Sequence, residues 1–206
     1  LDSKRYGRLF LGWGDTASNN TAEVDLSKTD VIAYSSVPDI AGGMLFRRKR
    51  DDALTDIALS DAFNNFDGLG RKARVRYDPL PFHGFHIAVS GVSDQRYDAS
   101  LWWGGRGYGF KAAGAFGYAD PNPDDSDHQY SGSLSLLHEN TGLNLTLSAG
   151  LKDLENRDDP TNVYVKGGWL TRFFSAGETA FSVDYAKSDH LPAENDGGWS
   201  IGGAAV

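Results

Sequence analysis

The chain has 206 residues, contains no Cys and carries a formal net charge of −8. The absence of Cys excludes disulfide frameworks and thiolate metal sites, and the acidic balance argues against nucleic acid as a partner. No apolar run approaches the roughly 20 residues that a membrane-spanning helix needs. The 25 Gly and abundant aromatic residues favour an all-β protein, because Gly weakens helices.

The first predicted strand covers residues 5–13, and a long segment without strand rhythm follows it. Residues 16–70 mix apolar islands, such as Val31–Ala33 and Met44–Phe46, with Asp and Gly, which argues against plain disorder. A connection of this length inside a compact domain is usually functional. We therefore expect a loop that packs against the rest of the protein, with no clean hairpin and at most a weak short helix at 53–63.

A strand with two different faces follows the long segment. In "RKARVRYDPL" cations alternate with apolar side chains: Lys72, Arg74 and Arg76 against Ala73, Val75 and Tyr77. Such period-2 alternation is typical of a strand between two environments. In a soluble sheet the cations would face water and the apolar side a core, whereas in a membrane barrel the apolar side would face lipid.

The remainder of the chain repeats this rhythm as a hairpin meander over 71–206. About ten strands result in total, with lengths that suit tilted membrane strands of about 9–11 residues. Tight turns alternate with longer, mostly acidic connections, as expected when one rim of a barrel has short turns and the other long loops. The predicted strands are 5–13, 73–78, 84–92, 97–104, 109–119, 129–138, 143–151, 162–171, 178–187 and 197–206.

Each strand of the meander has an apolar side and a small polar side. In "LNLTLSAGL" the leucines share one face, while Asn144, Thr146 and Ser148 share the other. Aromatic residues mark the ends of the apolar face, as in the girdles of membrane barrels; the alternative is an aromatic core in a β-sandwich. The marked positions are Tyr97, Trp103, Phe110, Tyr118, Trp169, Tyr185 and Trp199.

The stretch "GRLFLGWGDT…FDGLGRKARVRYDPLPFHGF", with "LHENTGLNLTLSAG" and "GETAFSVDYAKSD" further on, resembles Gram-negative general porins of the alphaproteobacterial type. The extra Leu80–Pro81 departs slightly from the porin pattern. The resemblance implies an antiparallel up-and-down transmembrane β-barrel with sixteen strands in the full protein and a long constriction loop. It also implies that residues 1–206 are a fragment of the barrel that lacks N- and C-terminal strands.

The resemblance also implies where a pore would be narrowed. In porins the long loop, here residues 16–70, folds into the barrel so that acidic groups on it face basic groups on the wall. Arg suits such a wall because it stays charged at physiological pH. The basic wall would consist of Arg8, Lys72, Arg74 and Arg76, and the acidic loop residues would be Glu23, Asp25, Asp30 and Asp39.

A passive diffusion porin of the bacterial outer membrane is therefore the leading functional hypothesis. It would pass small hydrophilic solutes and ions, contact lipid and lipopolysaccharide, form a homotrimer by family analogy, and require no cofactor. The alternatives are a secreted β-sandwich or adhesin-type binding module, and an outer-membrane protease or phospholipase. For an enzyme we cannot assemble a catalytic set from the His and Asp positions.

Two metal sites are weaker hypotheses. His83 and His86 flank a turn, but a third zinc ligand is missing from the pattern. The acidic connection near residue 120 could bind calcium or bridge to lipopolysaccharide, although EF-hand spacing is absent. Its acidic residues are Asp120, Asp124, Asp125 and Asp127.

Overall fold

The computed structural model describes residues 1–122, 127–155, 157–175, 177–193 and 195–206 and contains thirteen strands and two short helices. The elements in chain order are β1 (Asp2–Ser3), β2 (Gly7–Asp15), α1 (Val37–Ala41), β3 (Leu45–Arg47), β4 (Leu54–Ala58), α2 (Leu59–Ala62), β5 (Arg71–Asp78), β6 (Phe85–Val92), β7 (Tyr97–Gly107), β8 (Phe110–Asn122), β9 (Asp127–His138), β10 (Leu143–Asp153), β11 (Thr161–Phe174), β12 (Gly177–Asp189) and β13 (Gly197–Ala205).

Eleven of the strands form one antiparallel sheet in the order β1-β2-β5-β6-β7-β8-β9-β10-β11-β12-β13. Every strand from β5 onward therefore pairs with its neighbour in the chain, which confirms the predicted up-and-down meander. The ten predicted strands are all present, and β1 is an addition. Within the described ranges the sheet is open, with β1 and β13 at its edges. The sixteen-strand barrel stays a prediction.

The long segment contains more regular structure than we expected. The expectation of no hairpin was wrong, because β3 and β4 pair as a separate two-stranded sheet. The expected helix at 53–63 is also only partly present: Leu54–Ala58 is a strand, and α2 follows it. The β-branched Thr55 and Ile57 favour the extended conformation, and the Asp61 carboxylate accepts a hydrogen bond from the Ala58 N–H at 2.8 Å, where α2 begins.

The two faces of the large sheet differ sharply. In β10, Asn144, Thr146 and Ser148 are buried, while Leu145 and Leu147 are exposed. The same alternation runs across the neighbouring strands, because directly paired residues share a face. We call the side of Asn144, Thr146 and Ser148 the polar face and the side of the leucines the apolar face.

The long segment covers the polar face. Its backbone reaches serines of two strands in turn: the Ala17 N–H donates to Ser90 Oγ of β6, and the Val24 and Leu26 N–H groups donate to Ser133 Oγ and Ser135 Oγ of β9, all at 2.9 Å. Further along, Thr29 Oγ1 lies 2.7 Å from Ser182 Oγ. The segment thus crosses the sheet diagonally from β2 to β12, and small hydroxyl groups on the sheet satisfy its backbone donors.

Small residues on the polar face allow this close approach. A Cβ at Gly117 would clash with Thr21, and one at Gly150 would clash with the backbone of Asn65. A small apolar core also lies between the segment and the sheet, where Val37, Ala62 and Phe63 pack with Tyr164 and Ala186. The segment is therefore a packed layer on the sheet.

The connections are sorted between the two rims of the sheet, as the sequence predicted. The connections at 79–84, 108–109 and 139–142 leave the short-turn rim. Those at 93–96, 154–160 and 190–196, together with the long segment 16–70, leave the opposite rim, which we call the long-loop rim; 93–96 is its one short connection in the described ranges. In the part of the chain described here, helices are too short or too polar to span a membrane.

Candidate functional site

All four predicted basic-wall residues lie on the polar face. Lys72, Arg74 and Arg76 alternate along β5 with exposed apolar residues. Arg8 on β2 pairs directly with Asp78, which lies on the same face. The period-2 pattern placed Lys72, Arg74 and Arg76 on one side of the sheet, and Arg8, which the porin resemblance added to the wall, lies on the same side.

Arg74 and Arg76 hold the start of the long segment. The Arg74 guanidinium donates to the carbonyl oxygens of Gly12 at 2.8 Å and Asp15 at 3.0 Å. The Arg76 guanidinium donates two hydrogen bonds to the buried Asp78 carboxylate, a bidentate pair at 2.7 and 3.0 Å. It also donates to the Thr16 carbonyl at 2.9 Å. Such bidentate pairs fix orientation as well as charge. The two arginines thus join the wall to the point where the segment leaves β2.

Asp25 has a different partner from the one we expected. It forms an ion pair with Lys166 of β11, and both side chains are buried. Lys166 Nζ also donates to the Ala33 carbonyl at 2.6 Å and to Thr29 Oγ1 at 3.2 Å. This pair therefore fastens the middle of the segment to the sheet.

Glu23 and Asp39 lie together with Asp67, and these three residues form what we call the acidic patch. The patch lines an open cavity of about 480 Å³ on the segment, which Tyr34 and Arg71 also border. The patch is held together by hydrogen bonds to neighbouring groups. Asn65 Nδ2 donates to Glu23 Oε1 at 2.9 Å, and the Ala22 N–H donates to Asp67 Oδ1 at 3.0 Å.

Burial, with a smaller contribution from the neighbouring carboxylates, raises pKa values in the acidic patch. Burial raises the pKa of Glu23 to about 7, and the Asp67 and Asp39 carboxylates add to the rise. Burial likewise raises the pKa of Asp67. Burial, followed by the hydrogen bond to Asp39, raises the pKa of the Tyr34 hydroxyl. With a pKa of about 7, Glu23 changes its charge near neutral pH.

The predicted acidic and basic sets are not joined to each other. Among the described residues, no ion pair links Glu23, Asp25, Asp30 or Asp39 to the basic wall. Asp30 is exposed at the turn that follows Thr29. Sequence reasoning missed Lys166 and Asp67. A Lys among the polar-face positions of "TNVYVKGGW" was the available signal for Lys166.

The weaker metal hypotheses gain no geometric support. His86 Nε2 lies 3.3 Å from Asp78 Oδ2, and His83 packs edge-on against Phe82. Asp124 and Asp125 of the acidic connection lie outside the described residues. Within the described residues, no group of three His, Asp or Glu side chains could hold a metal ion.

Aromatic side chains form two rows on the apolar face, one at each rim. Four pairs of rings on adjacent strands, Phe85–Trp103, Trp169–Phe181, Tyr97–Tyr118 and Tyr118–Tyr130, have centroids 5.4–6.5 Å apart. On β8 the rows are represented by Phe110 and Tyr118, which are separated by about 27 Å of strand at ~3.4 Å per residue. Aliphatic residues such as Leu147 and Val165 fill the band between the rows and are exposed. The short-turn rim carries Phe85, Trp103, Phe110, Trp169 and Phe181, and the long-loop rim carries Tyr97, Tyr118 and Tyr130.

Comparison with protein-family models, curated proteins and solved structures finds no match for this chain.

Proposed function

We propose that this chain forms part of the wall of a general porin in a bacterial outer membrane, a water-filled channel for passive diffusion of small hydrophilic solutes and ions. The apolar face would contact lipid, and the polar face would line the channel. The segment 16–70 would narrow the channel, and further strands would close the sheet into a barrel. By the resemblance to porins, the assembly would be a homotrimer in contact with lipopolysaccharide.

The observation that carries the proposal is which side of the sheet is exposed: the apolar side is, whereas in a water-soluble sheet the apolar side is buried. The small polar side of the sheet is buried under a charged segment, whereas the large apolar side is exposed between two aromatic rows. An exposed apolar surface of this extent marks an interaction site. An outward apolar band about 25 Å tall with aromatic girdles is the arrangement of outer-membrane barrels.

A secreted β-sandwich or adhesin-type module is the second candidate, and the apolar face separates the two. A sandwich needs a second sheet, packed about 10 Å from the first, to cover that face. In the described residues the only additional sheet is the small β3–β4 hairpin, which belongs to the segment on the polar face. The open edge of β13, with backbone groups that require partners in lipid, fits a barrel wall that continues.

Channel recording tests the proposal directly. The intact protein, reconstituted into planar bilayers, should conduct ions. Lys72→Gln should shift the reversal potential in a salt gradient toward cation selectivity, because fixed charge along an aqueous path filters ions. Lys72 is the sharpest probe in the basic wall, since it has no hydrogen-bond or ion-pair partner among the described residues and its loss changes charge alone.

Lys187→Gln is the matched control, because this Lys lies on the apolar side of β12 and would be outside the channel. The control should leave the reversal potential unchanged. An absence of conductance, together with good solubility of the intact protein without detergent, would favour the sandwich. Equal shifts for both variants would remove Lys72 from the channel lining.

A further inference from the structure

The hairpin of residues 44–58 is a charged projection on the polar side of the sheet that the proposed function does not yet use. It leaves the segment between α1 and α2, and two hydrogen bonds close its base: the Leu59 N–H donates to the Met44 carbonyl at 2.8 Å and the Ser60 N–H to the Gly42 carbonyl at 3.1 Å. Its strands contact mainly each other and α2. Every residue from Met44 to Leu54 is exposed.

Four consecutive cations occupy the end of this hairpin. Arg47, Arg48, Lys49 and Arg50 are followed by Asp51 and Asp52, and we call residues 47–52 the basic tip. Four positive and two negative charges give the tip a net charge of +2, in a chain whose net charge is −8. The tip is thus a local positive site in an acidic protein.

The backbone of the tip is folded in a defined turn. The Arg48 N–H donates to the Ala53 carbonyl at 2.8 Å, and the Asp52 N–H donates to the Arg48 carbonyl at 2.9 Å. The ion pairs within the tip are exposed; the Arg50 side chain, for example, is 82% exposed and lies 3.6 Å from Asp51. Exposed pairs of this kind contribute little, so the cations can exchange an internal partner for an external anion at low cost.

We infer that the basic tip binds multivalent, phosphate-bearing anionic solutes on the channel side of the sheet. This inference rests on the proposed function, since it takes the polar side as the aqueous path. Arg presents a planar fork of donors that matches phosphate oxygens bidentately, and Lys adds a mobile point charge. Three Arg and one Lys at one exposed turn can therefore surround a phosphate group that an isolated cation could not hold.

The position of the hairpin decides between solute and lipid as the occupant. The segment from which it projects covers the polar face, and the apolar face lies on the other side of the sheet. The helices that flank the hairpin pack on the polar face, where Val37 of α1 and Ala62 of α2 contact Tyr164 and Ala186. The base of the hairpin therefore lies on the side of the sheet opposite the apolar band. The exposed Met44, Leu45 and Phe46 at its base are the side chains with which a lipid surface would make contact, and the vesicle measurement below tests for a lipid surface as the occupant.

Binding of sodium tripolyphosphate to the intact protein in neutral detergent, measured by titration calorimetry, tests the inference. The triple variant Arg48→Gln/Lys49→Gln/Arg50→Gln should bind tripolyphosphate about tenfold more weakly or worse, which corresponds to the loss of a single charge-assisted hydrogen bond. The matched control is Lys4→Gln/Arg5→Gln/Arg106→Gln, which removes the same number of exposed Arg and Lys residues at the short-turn rim. The control should bind within about twofold of the unchanged protein, because its cations lie away from the tip.

Each result has a defined meaning. Equal weakening in the two triple variants, or an absence of tripolyphosphate binding in the unchanged protein, would overturn the inference. So would a tip variant that retains tripolyphosphate but loses attachment to vesicles of phosphatidylglycerol, since the tip would then serve a lipid surface. The calorimetry does not depend on conductance. If the protein conducts ions but its tripolyphosphate binding does not depend on the basic tip, this inference alone is wrong. If tripolyphosphate binding depends on the tip but the protein does not conduct, the proposed channel is wrong.

Discussion

Neighbouring residues on the same strand of the large sheet differ in burial, because they lie on opposite faces. On β10 and β11, Ser148 and Lys166 are buried beneath the segment, whereas Leu147 and Val165, one residue away on each strand, are exposed. In a water-soluble protein the larger apolar side chains would occupy the buried side. The difference teaches that hydrogen bonds and charge pairs, with one small apolar cluster, hold the covered side of this sheet, while the larger apolar side chains lie on its exposed side.

The largest expected effect comes from breaking the buried pair on the polar face. Lys166→Met should lower the free energy of unfolding by about 3–5 kcal/mol, because it leaves the Asp25 carboxylate buried without a counter-charge. Urea unfolding of the protein in lipid vesicles measures this loss. Lys28→Met, which removes the exposed pair with Glu178, should leave the free energy of unfolding nearly unchanged, because solvent screens an exposed pair.

A double variant separates charge from packing at this position. Lys166→Met combined with Asp25→Leu should recover much of the lost stability, since both buried charges are then absent. If the double variant is no more stable than Lys166→Met, the contribution of the pair lies in the shape of the side chains rather than in their charges.

A charge on the apolar face should have the next largest effect. Leu147→Arg should cost about 2–4 kcal/mol in lipid vesicles, because the side chain lies in the middle of the apolar band; Leu151→Arg, closer to the rim, should cost about 0–1 kcal/mol. Leu147 is 42% exposed, so a protein surrounded by water would tolerate the Arg almost freely. Equal stability of Leu147→Arg and the unchanged protein would therefore contradict contact with lipid.

A Gly→Ala substitution on each face compares the space above the two faces, because it adds a single methyl group. Gly150→Ala should cost about 1–3 kcal/mol, because the new methyl group would meet the segment at Asn65 and Phe66. Gly167→Ala, on the apolar face, should be nearly neutral, since its Cβ would have no atom within 4 Å. Limited proteolysis within residues 59–70 should accelerate only for Gly150→Ala. Similar behaviour of the two variants would mean that the segment does not rest on Gly150.

The smallest effect concerns the pH dependence of the acidic patch. The pKa of Glu23 is about 7 in the folded protein against 4.5 for an ordinary Glu. The folded state therefore holds a proton that the unfolded chain releases, so the contribution of Glu23 to stability is complete below pH 4.5 and decreases as the pH rises to 7. After screening by solvent we expect a loss of about 1 kcal/mol.

Glu23→Gln should remove this pH-dependent loss, because Gln stays neutral throughout the range. Urea unfolding at pH 4.5, 6 and 7.5 gives the comparison, and Asp30→Asn serves as the control because Asp30 is an exposed acid of the same segment. A pH profile of Glu23→Gln that parallels the unchanged protein would place the titrating group elsewhere.

Much of the meander could be predicted from local patterns, because each hairpin involves only neighbouring residues. Alternation in "RKARVRYD" placed three cations on one face of β5, and the structure agrees. The contacts of the segment could not be predicted in this way. Asp25 meets Lys166, 141 positions later in the chain, and no pattern within either stretch identifies the other.

The hairpin in the segment illustrates the same limit. The residues of β4 are compatible with a helix or a strand, and their pairing with Leu45 and Arg47 decided the outcome. Asp67 joined the acidic patch only because the end of the segment returns beside its beginning, where the Ala22 N–H reaches the Asp67 carboxylate.

By itself the sequence determined ten strands of the large sheet, their antiparallel order and the division of each strand into a polar and an apolar side, because period-2 alternation and turn residues act locally. Only the tertiary structure decided which side is covered, which carboxylates are buried in pairs and which gather around the cavity. Those outcomes depend on how a 55-residue segment (residues 16–70) crosses the sheet. The path depends on distant Ser, Gly and Lys side chains that satisfy its backbone and charges together.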